Sequence, residues 1–199
     1  MTGHASAGMA RVLLLLCTFS LAAQAEGFGA ELGVGPGYGG AALVDAIVPA
    51  FSLRAEYGTP YISGGLRGLF FLGPKASYAS GGSGIDPSGF QAWAALAEIS
   101  AHTAGTISIG ARLAGGVGKV IGLNCDCEEV APLHGHVAPV FFASLFGSVR
   151  LGDHARAVLE AAVAHFTDLE RGDAPFSQAE SGIQAWTFAL LVSLQWAQR

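Results

Sequence analysis

Cys125-Asp126-Cys127-Glu128-Glu129, followed closely by His134 and His136, brings two thiols and two imidazoles into one short stretch. These are ligand types that suit zinc or copper. Cys-x-Cys and His-x-His are not the usual spacings of a structural zinc site, and ligand types alone carry little weight. The competing chemistry is a disulfide, either a small ring closed by Cys125 and Cys127 or a bridge between molecules. No metal and no cofactor is expected from this stretch. A second set is scattered: Glu31, Arg54, Glu56, Arg67, Glu98, Arg112 and Glu160. Acids and guanidiniums so far apart share a chemistry only if the fold gathers them. Packed together they would be ion pairs; wetted, they could conduct ions or protons.

The elements that must position these groups are constrained by composition. The chain has 199 residues, of which 13% are charged and 29 are glycine, and its mean hydropathy is +0.47. A helical membrane protein would reach that value through apolar runs of about 18 or more residues, and the sequence contains none. Glycine at this density weakens helices but suits strands with a small-residue face. A net charge of −5 and a pI of about 5.6 leave no electrostatic footprint for nucleic acid.

The first 25 residues read as an export signal. Arg11 precedes the apolar run Val12 to Ala23, and Ala23-Gln24-Ala25 offers small residues to a signal peptidase, which predicts cleavage after Ala25. Met9-Ala-Arg would open such a signal as well as Met1 does. Cys17 follows Leu16, where a lipoprotein signal would carry a small residue, so no lipid anchor is expected. Removal of the signal leaves only Cys125 and Cys127, in a compartment that permits disulfides.

Residues 26–199 read as one domain of alternating strands. In the last stretch, Gln184 to Trp196, the large apolar residues Trp186, Phe188, Leu190, Val192, Leu194 and Trp196 occupy every second position. That period of two gives a strand with two unlike faces. Aromatics at both ends of the greasy face mark a strand that crosses a bilayer, and only a closed barrel pairs the backbone of such a strand on both edges. Seven further runs follow the pattern: Phe28 to Tyr38, Ile47 to Tyr57, Ile62 to Leu72, Phe90 to Ala101, Thr106 to Gly118, His136 to Leu151 and Ala155 to His165. In this register all seven scattered charges fall on the small-residue face, inside the barrel. An eight-stranded barrel is just wide enough for side chains to fill, so a packed ion-pair network is expected there.

Connections alternate short and long. Short turns are expected near Thr59, Ala104 and Asp153; the long segments are Gly73 to Gly89, Lys119 to Gly135 and Thr167 to Gly182, with Gly39 to Ala46 on the long side by parity. An even strand count puts both termini at the short-turn, periplasmic end. Phe28, Tyr57, Tyr61 and Trp196 then form one aromatic girdle, and Tyr38, Trp93 and Trp186 contribute to the other. With its signal peptide, alternating strands and terminal aromatic, the chain resembles the small outer-membrane barrels of the OmpA and OmpX kind. The resemblance is one of architecture. It implies an all-β, eight-stranded antiparallel up-and-down transmembrane barrel in the Gram-negative cell envelope, embedded among lipid and lipopolysaccharide. In that family the final aromatic strand is read by the barrel-assembly machinery, which implies the same use of Trp186 to Trp196, although Ala197-Gln198-Arg199 follow.

A second, partial resemblance concerns enzymes. In the lipid A deacylases, also eight-stranded barrels, a His-x-Ser-Asn motif at a strand end and a later Glu form a triad. This chain reads His165-Phe166-Thr167-Asp168, with Glu180 downstream. The serine nucleophile is absent, and a β-branched threonine fits such a site poorly, so no catalytic residue is expected. The outer segments hold Asp45, Asp86, Asp126, Glu128, Glu129, Asp168, Glu170, Asp173 and Glu180 against Lys75, Lys119 and Arg171. Such a surface could share cations with lipopolysaccharide phosphates or simply be solvated. The function expected is structural or interactive: envelope integrity, adhesion or recognition through the long loops. The alternatives are a narrow solute or ion channel, a lipid A hydrolase, and a soluble lipocalin-like binder with its apolar face inside.

Overall fold

Side-chain alternation builds every long element of the chain, and backbone pairing carries some of them further. The computed structural model describes residues 27–41, 46–73, 77–78, 85–86, 90–121, 137–171 and 180–197. The export segment 1–25 and the metal or disulfide candidates Cys125, Cys127, His134 and His136 lie outside the described residues, as do Asp45, Lys75, Asp126, Glu128, Glu129 and Asp173. For Asp86, Glu170, Arg171 and Glu180 the description extends to the backbone alone.

The described residues form eight long strands: β1 (Gly27–Ala41), β2 (Ile47–Gly58), β3 (Ile62–Leu72), β4 (Gln91–His102), β5 (Ile107–Ile121), β6 (Ala138–Arg150), β7 (Ala155–Arg171) and β8 (Glu180–Ala197). Each pairs antiparallel with its sequence neighbour, and β8 returns to β1 to close the barrel. The closing seam runs from Gly29 opposite Ala197 to Ala41 opposite Ala185 without a change of register. A two-residue ladder, Ser77–Tyr78 with Ile85–Asp86, lies between β3 and β4 and takes no part in the barrel.

Two features of the sequence reading need correction. The segment from Thr167 to Gly182 is not loop throughout, because β7 runs to Arg171 and β8 begins at Glu180; β5 likewise continues to Ile121. A ladder needs only backbone donors and acceptors, so pairing persists where side chains no longer alternate. The extension of β7 and β8 is irregular, with register shifts between Glu180 and Ile183 and between Ile183 and Ala185. Asp168 there has φ 57°, a left-handed conformation that Asp tolerates better than most residues.

The second correction concerns the lumen. Among the described residues its charges lie toward the short turns. Its other half is apolar, filled by Val48, Leu69, Phe71, Phe90, Val140, Phe142 and Phe166, all buried. Phe71 and Phe90 contact each other with ring centroids 5.6 Å apart. Some lumenal glycines serve this packing. A Cβ on Gly37 would stand 2.5 Å from the Phe71 ring, and one on Gly118 would stand 2.8 Å from Phe166, so the rings occupy the space that missing side chains leave.

Outside, the relation is inverted. Leu32, Val34, Leu53, Leu66, Ile109, Leu113, Leu145, Leu190 and Val192 are all exposed. An apolar surface that encircles a protein is far beyond the patches soluble monomers carry, and a lipocalin-like arrangement would have turned these side chains inward.

Candidate functional site

The register of the barrel brings the scattered charges together. Glu31 on β1 stands opposite Arg54 on β2, which stands opposite Arg67 on β3. Glu98, Arg112 and Glu160 come from β4, β5 and β7, all on the inner face. Arg54 reaches Glu31 at 3.4 Å, Glu56 at 2.6 Å and Glu98 at 2.5 Å. Arg67 grips Glu160 through both terminal nitrogens, at 3.1 and 3.0 Å, and its Nε lies 2.7 Å from Glu98. Arg112 bridges Glu31 and Glu160, each at 2.8 Å.

The guanidiniums are the residue type this site needs. Each planar fork meets two or three carboxylates at once, which a single ammonium point charge could not do with the same geometry. Their faces are used as well. Arg67 lies 4.6 Å over the Phe142 ring and Arg112 lies 4.1 Å over Phe146; Phe142 borders the charged layer on the apolar side, and Phe146, which also contacts His102, borders it on the side of the short turns. Ser144 donates to Glu160 at 2.5 Å and Ser63 donates to Glu56 at 2.5 Å. With Arg54, Arg67 and Arg112 at most 2% exposed, the network is dry. Its chemistry is mutual neutralisation: with Ser144 on β6, it ties the seven strands from β1 to β7 to one another across the lumen.

Toward the short turns the lumen widens into a polar mouth of about 560 Å³, which Glu56, His102, Arg150, Arg156 and Gln195 line. The alternation puts these residues on the inner face, but nothing in their sequence spacing marks them as a group.

The girdle residues face outward. Phe28 is paired with Tyr57 across β1 and β2, and Trp196 stands opposite Ala30 on β1; Tyr61 is exposed in the turn between β2 and β3. At the other end Tyr38 contacts Phe188 at 6.4 Å, and Trp93 is opposite Phe70. Trp186 stacks on His165 with centroids 3.9 Å apart and planes 7° from parallel. The three residues of the enzymatic alternative do not meet. Thr167 turns its hydroxyl to the Pro139 carbonyl at 3.4 Å. Glu180 is opposite Arg171, six residues along β8 from the Trp186 that faces His165, a distance of roughly 20 Å at strand rise.

No protein-family model matches the sequence, and no curated protein matches it. Among solved structures, the crystal structure of Neisserial surface protein A superposes with a TM-score of 0.63 at 8% identity, covering 86% of this chain and 97% of that one. The fold is that of a small outer-membrane barrel. Ail, the attachment invasion locus protein of Yersinia pestis, solved with the heparin analogue sucrose octasulfate, matches with a TM-score of 0.47 at 11% identity over 87% of this chain and 99% of its own. The outer membrane protein AlkL, solved in lipid bilayers, matches with a TM-score of 0.46 at 15% identity over 87% and 90%. At identities this low the likeness extends to the fold and no further.

Proposed function

We propose that the chain is an integral outer-membrane protein whose barrel is an anchor and whose outer loops carry a structural or surface-recognition role. In this reading residues 1–25 export it and are removed after Ala25, the termini are periplasmic, and the barrel-assembly machinery inserts it among lipid and lipopolysaccharide. It acts without catalysis. The observation that carries the proposal is the contrast of the two faces: an apolar exterior between two aromatic girdles, and, beyond the polar mouth, an inner face of buried side chains. The buried ion pairs and the phenylalanine layer above them leave the lumen to side chains, so whatever the protein meets, it meets at its ends.

Single-channel recording in planar bilayers tests this against the channel alternative. The purified protein should insert and give no discrete conductance steps. Reproducible steps abolished by enlarging none of the loops but altered by Arg112→Gln would instead establish a path through the charged layer.

A further inference from the structure

Two prolines stand opposite each other in the barrel wall, Pro36 on β1 and Pro49 on β2. Proline gives a sheet no N–H and is confined to edge strands, strand starts and bulges, yet a closed barrel has no edge. The β1–β2 ladder nevertheless runs unbroken from Gly27 opposite Gly58 to Tyr38 opposite Ile47. That is possible because antiparallel partners alternate between hydrogen-bonded and non-hydrogen-bonded pairs. At a non-hydrogen-bonded position the backbone groups of the two prolines point away from each other, those of Pro36 toward β8 and those of Pro49 toward β3.

Both flanks of the hairpin show the loss at this level. The β1–β8 ladder passes from Val34 opposite Val192 directly to Gly37 opposite Ala189 in one register, which leaves Gly35 and Pro36 without a pair. The Leu190 carbonyl meets a proline where the register would supply an N–H, and it lies so close to β1 that a side chain on Gly35 would run into it. On the other flank the β2–β3 ladder ends at Ala50 opposite Phe71, one residue short of Pro49. From there toward the outer end no backbone pair joins β2 to β3 among the described residues. Side-chain packing takes over: buried Val48 fills the space beside Gly73, where a Cβ would stand 2.8 Å from it, and Phe71 lies against the bare Gly37. The β3–β4 ladder, by contrast, continues without a break to Leu72 opposite Gln91.

We infer that the outer half of the β1–β2 hairpin, residues 37–41 with Ile47 and Val48, is a flap hinged at the opposed prolines, which swings as one unit with its β8 pairs kept and parts the wall between β2 and β3. The motion breaks no ladder bond, because the prolines have already removed the donors that would oppose it. It separates apolar contacts instead. Opening uncovers Phe71 and Phe90, whose ring centroids are 5.6 Å apart, and leaves the ion pairs nearer the short turns covered. The flap therefore gives access to the apolar layer without wetting the charged one. The inference goes beyond the anchoring role and does not depend on it.

Hinge motions of this kind fall in the microsecond-to-millisecond range, which nitrogen-15 relaxation dispersion reads. The test is that measurement on the full chain in lipid nanodiscs. Amides of residues 37–41, Ile47 and Val48 should show dispersion that one common rate fits, while residues 29–34 and 63–68, on the other side of the prolines, should give flat profiles. Pro49→Val supplies an N–H opposite the Leu72 carbonyl, where the β2–β3 register continues, and should abolish the dispersion at every flap position. Flat profiles in the native sequence, rates that differ from one flap residue to the next, or dispersion that Pro49→Val leaves unchanged would overturn the inference. Gel migration before and after boiling establishes that the variant folds; if it does not, Pro36→Val makes the same change on the β8 flank and is read in the same way.

Discussion

Arg112 bridges two carboxylates and lies over an aromatic ring, 1% exposed. Its removal leaves Glu31 with only Arg54, at 3.4 Å, and Glu160 with only Arg67, at 3.0 Å, in a buried layer that then holds more carboxylates than guanidiniums. Breaking a buried pair from one side costs about 3–5 kcal/mol, far more than the pair contributes over a well-packed apolar substitute. Arg112→Met should therefore destabilise the barrel by about 3–5 kcal/mol in urea unfolding from lipid vesicles. A loss below about 1 kcal/mol, the range of exposed pairs, would mean the network is wet. Glycines offer a sharper contrast, because the same chemical change meets different surroundings. A methyl on Gly37 runs into Phe71, whereas one on Gly147 meets nothing within 4 Å. Gly37→Ala should cost about 1–3 kcal/mol by overpacking, while Gly147→Ala should stay within about 0.5 kcal/mol. Equal effects would remove the claim that lumenal glycines make room for the phenylalanines.

At the scale of the strand, β8 presents Leu190 outward between Trp186 and Trp196, with Leu191 buried on the other side. If the exterior faces lipid, position matters as much as residue type. Leu190→Arg should cost about 2–4 kcal/mol, and Trp196→Arg, at the girdle, about 0–1 kcal/mol beyond the lost aromatic contacts. Equal penalties at both depths would contradict a bilayer around this strand. The same periodicity explains what could be read from the sequence. Alternation in Ile62 to Leu72 gives the bounds of β3 outright, and it puts Glu31, Arg54 and Arg112 on one face because their neighbours two positions away are small or polar while the residues between are apolar. Alternation also sets Phe70 and Phe141 outward, as they stand in the structure, which leaves Phe71 and Phe142 to the inner face. That these inner rings collect into one apolar layer was not legible, because no local spacing relates positions on β3 and β6. The ends of β7 and β8 were hidden for another reason, since Thr167 and Asp168 break the side-chain pattern while the backbone continues to pair. The polar mouth combines Glu56, His102, Arg150, Arg156 and Gln195 from five strands, and no local spacing marks such a set.

For the whole molecule, the two faces of the barrel define the environment it requires. A lumen of paired charges beneath a phenylalanine layer is stable when dry, and an exterior of Leu, Val, Ile and aromatic rings is stable only away from water. Each constraint is met by a bilayer, and a soluble state would violate the second over its whole circumference. The most direct test is fractionation of cells that express the full chain, followed by gel electrophoresis of the outer-membrane fraction with and without boiling. A band in that fraction that runs faster unboiled than boiled is the predicted result, because the closed barrel stays compact in detergent until heat opens it. Recovery of the protein in the soluble periplasm, with the same mobility before and after boiling, would contradict the account.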